Sequence, residues 1–351
     1  MKTFTRRKAA KKAARRPTVV TVAKRAGVSI ASVSRVLNGL PASPRMERRV
    51  RAATAALDYV PDLRGRSLKA GRTMQLAFAV ADIANPVYIE MMRAIDELTK
   101  AAGFRLVLHS TGSDPANEID LIEGLGRRYA DGLILSPLRI TPDHLRALRA
   151  AQVPIVIIGS LPEDEPLDSV RADSRRGVGL AIEHLFAAGR RSIGFVNGDP
   201  RTVPGTARRE GYRAALAAAG LKHDERLEID GGEFTYAAGF GAARKLLARA
   251  RPDALFCADD LIAVGAMRAL ADQQLRVPQD VAVVGMDDTE LARMSTPALS
   301  SVSLGSAERA RLAANLLLDR LKDPTLAPRH RTVAPYLVIR ESSGGPREAT
   351  A

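Results

Sequence analysis

The sequence predicts an α/β chain in which a helical N-terminal unit precedes a two-lobed body of doubly wound parallel sheets. Three observations carry this. The excess positive charge is N-terminal, residues 18–57 follow a helical period broken by a short glycine turn, and from Gln75 onward strand-like apolar runs alternate with amphipathic stretches. A length of 351 residues leaves room for two or three domains, and 46% apolar with 26% charged residues excludes a disordered or low-complexity chain.

Residues 1–72 hold 19 Lys/Arg against Glu47, Asp58 and Asp62, a net charge of +16, whereas the remaining 279 residues hold 34 against 36; the whole chain therefore carries +14. A basic head on a near-neutral body is the footprint of a nucleic-acid-binding module joined to one that does not bind nucleic acid. The eight basic residues of 1–16 are expected to form a disordered arm, but residues 17–72 still carry 11 basic residues against three acids and are patterned as helices. The expected organisation is an arm (1–16), a helical head (17–61), a hinge (62–73), a two-lobed body (74–343) and a tail (344–351). Cys257 is the single thiol, no Cys/His spacing suits zinc, and neither a secretory signal nor an apolar run of the ~18 residues a membrane helix needs is present. A reducing cytoplasm is the expected home, with no cofactor, metal or membrane partner.

In the head, Thr18 precedes Val19, Val22, Ala23 and Ala26 on one helical face, and Gly27 is suited to end that helix. Ser29 can cap a second helix reaching Asn38, which buries Val33, Val36 and Leu37 and leaves Ile30, Ala31, Ser32, Ser34 and Arg35 mainly at its start and outer face. Ser43-Pro44 opens a third helix that buries Met46, Val50, Ala53 and Leu57. The first two helices, joined through Gly27-Val28-Ser29, form a helix-turn-helix. A major groove admits one helix, whose N-terminal side chains reach base edges while hydroxyls and basic groups hold phosphates.

Thr-Val-Ala-Lys-Arg-Ala-Gly-Val-Ser (21–29), Ser-Val-Ser-Arg-Val-Leu-Asn-Gly (32–39), Arg48-Arg49-Val50 and Leu57-Asp58-Tyr59-Val60-Pro61 resemble, in order and spacing, the lactose-repressor (LacI/GalR) family of bacterial transcription regulators. The resemblance implies that Ile30 and Ala31 take base-specificity positions, that Arg35 contacts base or phosphate, and that Thr18, Ser29, Ser32, Ser34 and Asn38 contact the DNA backbone. Capping or plain exposure is the alternative for each. It also implies that Leu68, in the segment after Pro61, wedges into the minor groove. Asp62 and Gly65 depart from the family's usual Asn and Ala, so the hinge is expected to depend more than usual on DNA to fold; Gly costs about 1 kcal/mol of helicity relative to Ala.

In the body, expected strands are Leu76–Val80, Leu106–His109, Gly132–Leu135, Pro154–Ile158, Ser192–Val196, Ala254–Cys257 and Val281–Val284, separated by eight helices between Val87 and Lys322. Asp173 opens a second cycle, hence two lobes. Such sheets bind ligands at the carboxyl ends of their strands, so the polar residues there are the candidates: Asp82, Asn85, Ser110, Thr111, Ser136, Ser160, Asn197, Asp259, Asp260, Asp287 and Asp288. A cap on the following helix is the alternative for each one.

The family resemblance continues through Asn85-Pro86-Val87-Tyr88, Asp131-Gly132-Leu133-Ile134, Ala258-Asp259-Asp260 and Val284-Gly285-Met286-Asp287-Asp288-Thr289 to Val338-Ile339-Arg340-Glu341-Ser342. It implies a periplasmic-binding-protein-like body whose effector is contacted by Arg208 and Asp287, with Phe234 stacking on it, and places Asp82, Asn85, Tyr88, Ser136 and Asp259 in the same site. Core packing is the alternative for Phe234. Carboxylates and Arg/Asn groups suit the hydroxyls of a polyol, and an aromatic suits its apolar face. A sugar is favoured over a nucleobase, since aromatics make up 4% of the chain and Trp is lacking. Asp259 stands where the family generally has Asn. The function this implies is a repressor that binds a near-palindromic operator as a homodimer under control of a small effector. An enzyme is disfavoured, for the chain has no phosphate-binding glycine loop, metal spacing or nucleophile elbow, and a transport binding protein would need an export signal.

Overall fold

The computed structural model describes residues 17–37, 39–59, 72–127, 129–162 and 164–345. The basic arm, Asn38, and the hinge positions Asp62, Gly65 and Leu68 lie outside the described residues. The chain divides into two units, one ending at Gly71 and one beginning at Arg72.

The first unit is a trio of helices, α1 (Val19–Ala26), α2 (Ile30–Leu37) and α3 (Pro44–Ala56). Thr18 caps α1 in a reciprocal box with Thr21, and α1 stops at Gly27, whose φ of 63° is the left-handed value that only glycine adopts freely. Arg49 of α3 donates to the Gly27 carbonyl at 3.1 Å, fastening the turn between α1 and α2. Ser43 caps α3 and Pro44 takes an early position whose missing N–H costs nothing. Val22, Ala23, Ala26, Val33, Val36, Val50 and Ala53 form the small core, with Leu37, Met46 and Leu57 packed against it.

The second unit holds two six-stranded sheets. The first is ordered β11-β5-β4-β3-β1-β2, with β1 (Gln75–Val80), β2 (Arg105–Ser110), β3 (Gly132–Ser136), β4 (Ile155–Ile158), β5 (Asp168–Ala172) and β11 (His330–Val333), all parallel. The second is ordered β12-β10-β9-β8-β6-β7, with β6 (Ile193–Asn197), β7 (Glu228–Asp230), β8 (Ala254–Cys257), β9 (Ala282–Met286), β10 (Ser300–Ser303) and β12 (Tyr336–Val338). The all-parallel expectation is corrected at one edge, where β12 returns antiparallel to β10.

Seven expected strands are present within two residues of their expected ends. The other five escaped the search for apolar runs: β7, β11 and β12 are short edge strands, and β5 and β10 are rich in Asp and Ser. Buried Ser300 and Ser301 of β10 are satisfied by side-chain hydrogen bonds to Arg340, Ser343 and Asp260, so this strand needs no apolar pattern to be buried.

Helices α4 (Pro86–Ala101), α5 (Pro115–Gly124) and α6 (Pro142–Ala150) cover the first sheet, while α7 (Ser174–Ala187), α8 (Val203–Ala218), α9 (Tyr236–Arg249) and α10 (Asp260–Asp272) cover the second. A short α11 (Glu290–Met294) precedes β10. The long α12 (Ser306–Lys322) follows β10 of the second sheet but packs on the first, inserting Ala310, Ala313, Ala314 and Leu317 beside Phe78, Ile134 and Val156. The backbone thus passes between lobes after β5, after β10 and after β11. Asp173 is the N-cap of α7 at the first crossing, as expected of the residue that opens a second cycle. Pro204 and Gly205 lie in the first turn of α8, which Thr202 caps.

Candidate functional site

Of the eight side chains expected to meet an effector, Asn85 and Asp259 touch across the lobes, Arg208, Asp287 and Phe234 gather in the second lobe, and Tyr88 and Ser136 are buried in the first. Asn85 caps α4 by accepting from the Val87 N–H at 3.2 Å, which leaves its Nδ2 to donate to Asp259 Oδ2 of the other lobe at 3.3 Å. Asp259 is itself the cap of α10, accepting from the Ile262 N–H at 2.8 Å. Capping and cleft placement, alternatives in the sequence, coincide in both residues.

Burial, reinforced by Asp287, pushes the Asp259 carboxyl up to about 7. Its neighbour Asp260 is pushed well above the usual carboxylate range by the same causes, but it is consumed structurally: it accepts from the Thr289 N–H, the Thr289 hydroxyl and the Ser301 hydroxyl.

Arg208 enters from α8 and is buried. It donates to the Ala258 carbonyl at 2.7 Å, faces Asp287 Oδ1 at 3.6 Å and lies 5.6 Å from the centre of the Phe234 ring. The ring is seated against Gly198, where a Cβ would stand 2.6 Å from it. Asp287 follows β9 with φ 100° and Asp288 comes next with φ 51°, two successive non-glycine residues on the left-handed side; such backbone strain concentrates at functional turns. Arg340 of the closing motif steadies this turn by donating to Asp288 Oδ1 at 2.8 Å.

Tyr88 and Ser136 are buried, and burial, reinforced by Asp287, drives the phenol's pKa up. Asp82, by contrast, is exposed and closes its own turn on the Ala84 N–H. Among the further strand-end residues, Asn197 donates from Nδ2 to Gly205 and Asp230, and Thr111 donates to Glu118. A second inter-lobe tie, the Arg139–Asp199 ion pair, escaped the sequence reading; with Arg201 it holds Asp199 at about 2.

Arg309 of α12 also escaped it. This guanidinium is 9% exposed and senses Asp287, Tyr88, Glu90 and Arg208 electrostatically. A signal was present, because Arg309 shares a helical stripe with Ala313, Leu316 and Leu317, all buried.

A separate cavity of about 410 Å³ opens beside the end of β2, lined by His109, Ser110, Thr111, Asn117, Asp120 and Tyr129 among others. Its described lining holds no Lys or Arg. The converging charged groups are in the inter-lobe cleft. Among the described residues no cluster of His, Cys, Asp or Glu could hold a metal ion, and no helix is long and apolar enough to cross a membrane.

In the head, Ile30 is 45% exposed, and Ala31 and Arg35 are exposed beside it at the start and outer side of α2. An exposed isoleucine at that place has no packing role. Thr18 and Ser29 do perform the capping expected of them, Ser29 accepting from the Ser32 N–H at 3.1 Å and bonding the Ser32 hydroxyl at 2.9 Å; Ser32 and Ser34 are half-buried.

A helix-turn-helix head followed by a two-lobed body with charged groups converging between its lobes defines a DNA-binding regulator of the ligand-sensing class. Residues 18–62 match the bacterial regulatory proteins of the lacI family, and residues 182–343 match the periplasmic binding protein-like domain. The chain is 35% identical over 329 residues to the ribose operon repressor of Escherichia coli (strain K12), covering 93% of this chain and 99% of that one. It is 36% identical over 338 residues to the HTH-type transcriptional regulator CelR of Thermobifida fusca, covering 93% and 98%. Among solved structures, a CelR–cellobiose complex superposes with a TM-score of 0.71 at 35% identity, covering 93% of this chain and 100% of that one. The lac repressor dimer bound to operator and the anti-inducer ONPF superposes with a TM-score of 0.83 at 25% identity, covering 94% and 99%. The chain belongs to the LacI family of transcription regulators. These relatives are named as transcriptional regulators and repressors, not as enzymes.

Proposed function

We propose that the protein is a repressor that binds a near-palindromic operator as a homodimer and is controlled by a sugar-like effector held between the lobes of its body. The observation that carries the effector half is the convergence of Asn85, Asp259, Arg208 and Asp287 on the ends of strands from both sheets. Carboxylate and guanidinium groups set in place beforehand make charge-assisted hydrogen bonds to ring hydroxyls, and Phe234 offers a face for the apolar side of the ring. Tyr88 and Ser136 complete the wall, and Asp82 stands outside it at the exposed end of β1. The sugar complexes and sugar operons named for the relatives support this class.

The DNA half rests on the exposed start of α2. Ile30 and Ala31 would read base edges in the major groove, and Arg35 would contact a base or phosphate. Thr18, Ser29, Ser32, Ser34 and Asn38 would hold the backbone, while Leu68 would wedge into the minor groove. The lac repressor's dimeric complex with operator supports the pairing of two heads on two half-sites. The divisions at 17–61, 62–73 and 74–343 are retained as head, hinge and body, and the cytoplasm, on chromosomal DNA when bound, is the place where such a protein works.

The test is selection of genomic fragments by the full-length chain, followed by a screen of sugars for release. Enrichment of fragments sharing an inverted repeat, with release by one sugar class, is the expected result. Retention of random fragments only contradicts it.

A further inference from the structure

We infer that the effector is an anionic polyol, a sugar-like molecule bearing a carboxylate or phosphate group, and that Arg309 receives that group. The inference rests on the effector reading above and narrows its chemistry. Four arginines have a buried Nε that makes no well-directed hydrogen bond: Arg208, Arg209, Arg309 and Arg329. Three of them face a carboxylate within ion-pair distance, Arg208 facing Asp287 at 3.6 Å, Arg209 facing Glu228 at 2.8 Å and Arg329 facing Asp319 at 3.1 Å. Arg309 faces none among the described residues. Among the described residues its only hydrogen bond to a side chain is a long one, from Nη2 to the Ser306 hydroxyl at 3.4 Å.

An isolated buried cation is among the costliest arrangements in a protein interior, and it persists where a partner arrives later. The surroundings of Arg309 do not supply that partner. Asp287 already faces Arg208, whose own charge repels that of Arg309. Burial raises the Asp259 carboxyl to about 7, which weakens its negative charge near neutral pH, and Glu90 is exposed on α4.

The start of α12 adds to the imbalance. Its N-cap is Gly305, which offers no side-chain acceptor to the first-turn N–H groups, and Glu308, the acid of that turn, is exposed. An uncapped helix start and an unpaired guanidinium four residues on favour the same ligand charge. Arg309 belongs to a helix packed on the first lobe, whereas Asp287 and Arg208 belong to the second. One anionic polyol touching both sets would tie the lobes together, its hydroxyls on Asn85, Asp259 and Asp287 and its charged group on Arg309.

The experiment uses the full-length chain and a panel of matched probes: D-glucose with D-gluconate, D-glucuronate and D-glucose 6-phosphate, and D-ribose with D-ribonate and D-ribose 5-phosphate. Thermal shift and calorimetry should show an acidic member binding where its neutral parent does not, and the carboxylate and phosphate arms identify the group. Arg309→Met should weaken that acid by about 100-fold, Arg309→Lys should restore part of the loss, and Arg309→Met without ligand should melt no lower than the parent, because an unpaired charge has been removed. Equal binding of neutral parents, unchanged in Arg309→Met, overturns the inference and leaves the effector reading standing. A lower melting temperature in ligand-free Arg309→Met with acid preference intact makes Arg309 structural and also overturns it. No shift with any polyol, neutral or acidic, removes the effector reading itself.

Discussion

Asn85 and Asp259 stand in different lobes and share a hydrogen bond of 3.3 Å across the cleft. The same two side chains cap the helices that follow their strands, so a change at either reaches a helix start and the inter-lobe tie together.

The raised Asp259 fixes the sign of a pH effect. Its folded value of about 7 lies above the ordinary unfolded value of about 3.9, so between these limits the folded state binds more protons and this residue makes stability fall as pH rises. Asp259→Asn keeps a capping side chain and removes the titration. Urea unfolding from about pH 4 to about pH 8 should give a shallower loss for the variant, the difference growing to a few kcal/mol at the upper end. Parallel curves would mean that Asp259 titrates normally.

Asp287→Asn tests the acceptor at the strained turn. Asn tolerates positive φ, so the backbone is preserved while the charge facing Arg208 is lost. Effector affinity by calorimetry should fall by about 10- to 100-fold. An unchanged affinity would remove Asp287 from the effector site.

Gly198→Ala probes the aromatic wall. The added Cβ would stand 2.6 Å from the Phe234 ring, forcing the ring off its seat near Arg208. Overpacking of this kind costs about 1–3 kcal/mol, so thermal melting should drop and effector affinity should weaken. A ring that rotates away at no cost would leave both measurements as they were.

Arg35→Ala addresses the head. Loss of an exposed guanidinium from the reading face should narrow the affinity gap between operator and random duplex by about 1–3 kcal/mol if it contacts a base. A phosphate contact would instead weaken both duplexes alike and reduce the salt slope. Fluorescence anisotropy on both duplexes at several salt concentrations separates the two.

Much of this was legible in the sequence, for physical reasons. Thr18, Gly27, Ser43 and Pro44 announce helix ends because capping and positive φ restrict residue type, and the parallel strands read as apolar runs because both sheet faces are covered. Strand β10 was hidden because Ser300, Ser301 and Ser303 satisfy burial through hydrogen bonds rather than hydrophobicity. Asp259 and Asp287 could be named from their strand ends, but which acids keep a free role could not: adjacent Asp260 has the same sequence credentials and is saturated by Thr289 and Ser301. That distinction depends on contacts with residues up to 41 positions away.

The central claim, a DNA-reading head governed by a polyol in the cleft, is tested most directly by titrating the full-length chain onto a selected operator duplex and a scrambled duplex, each with and without the polyol that raises its melting temperature. The account predicts operator preference by at least about 1000-fold, a steep loss of affinity with salt, and a polyol-dependent change in operator affinity that is absent in Asp287→Asn. Equal affinity for both duplexes, unmoved by any polyol, would contradict it.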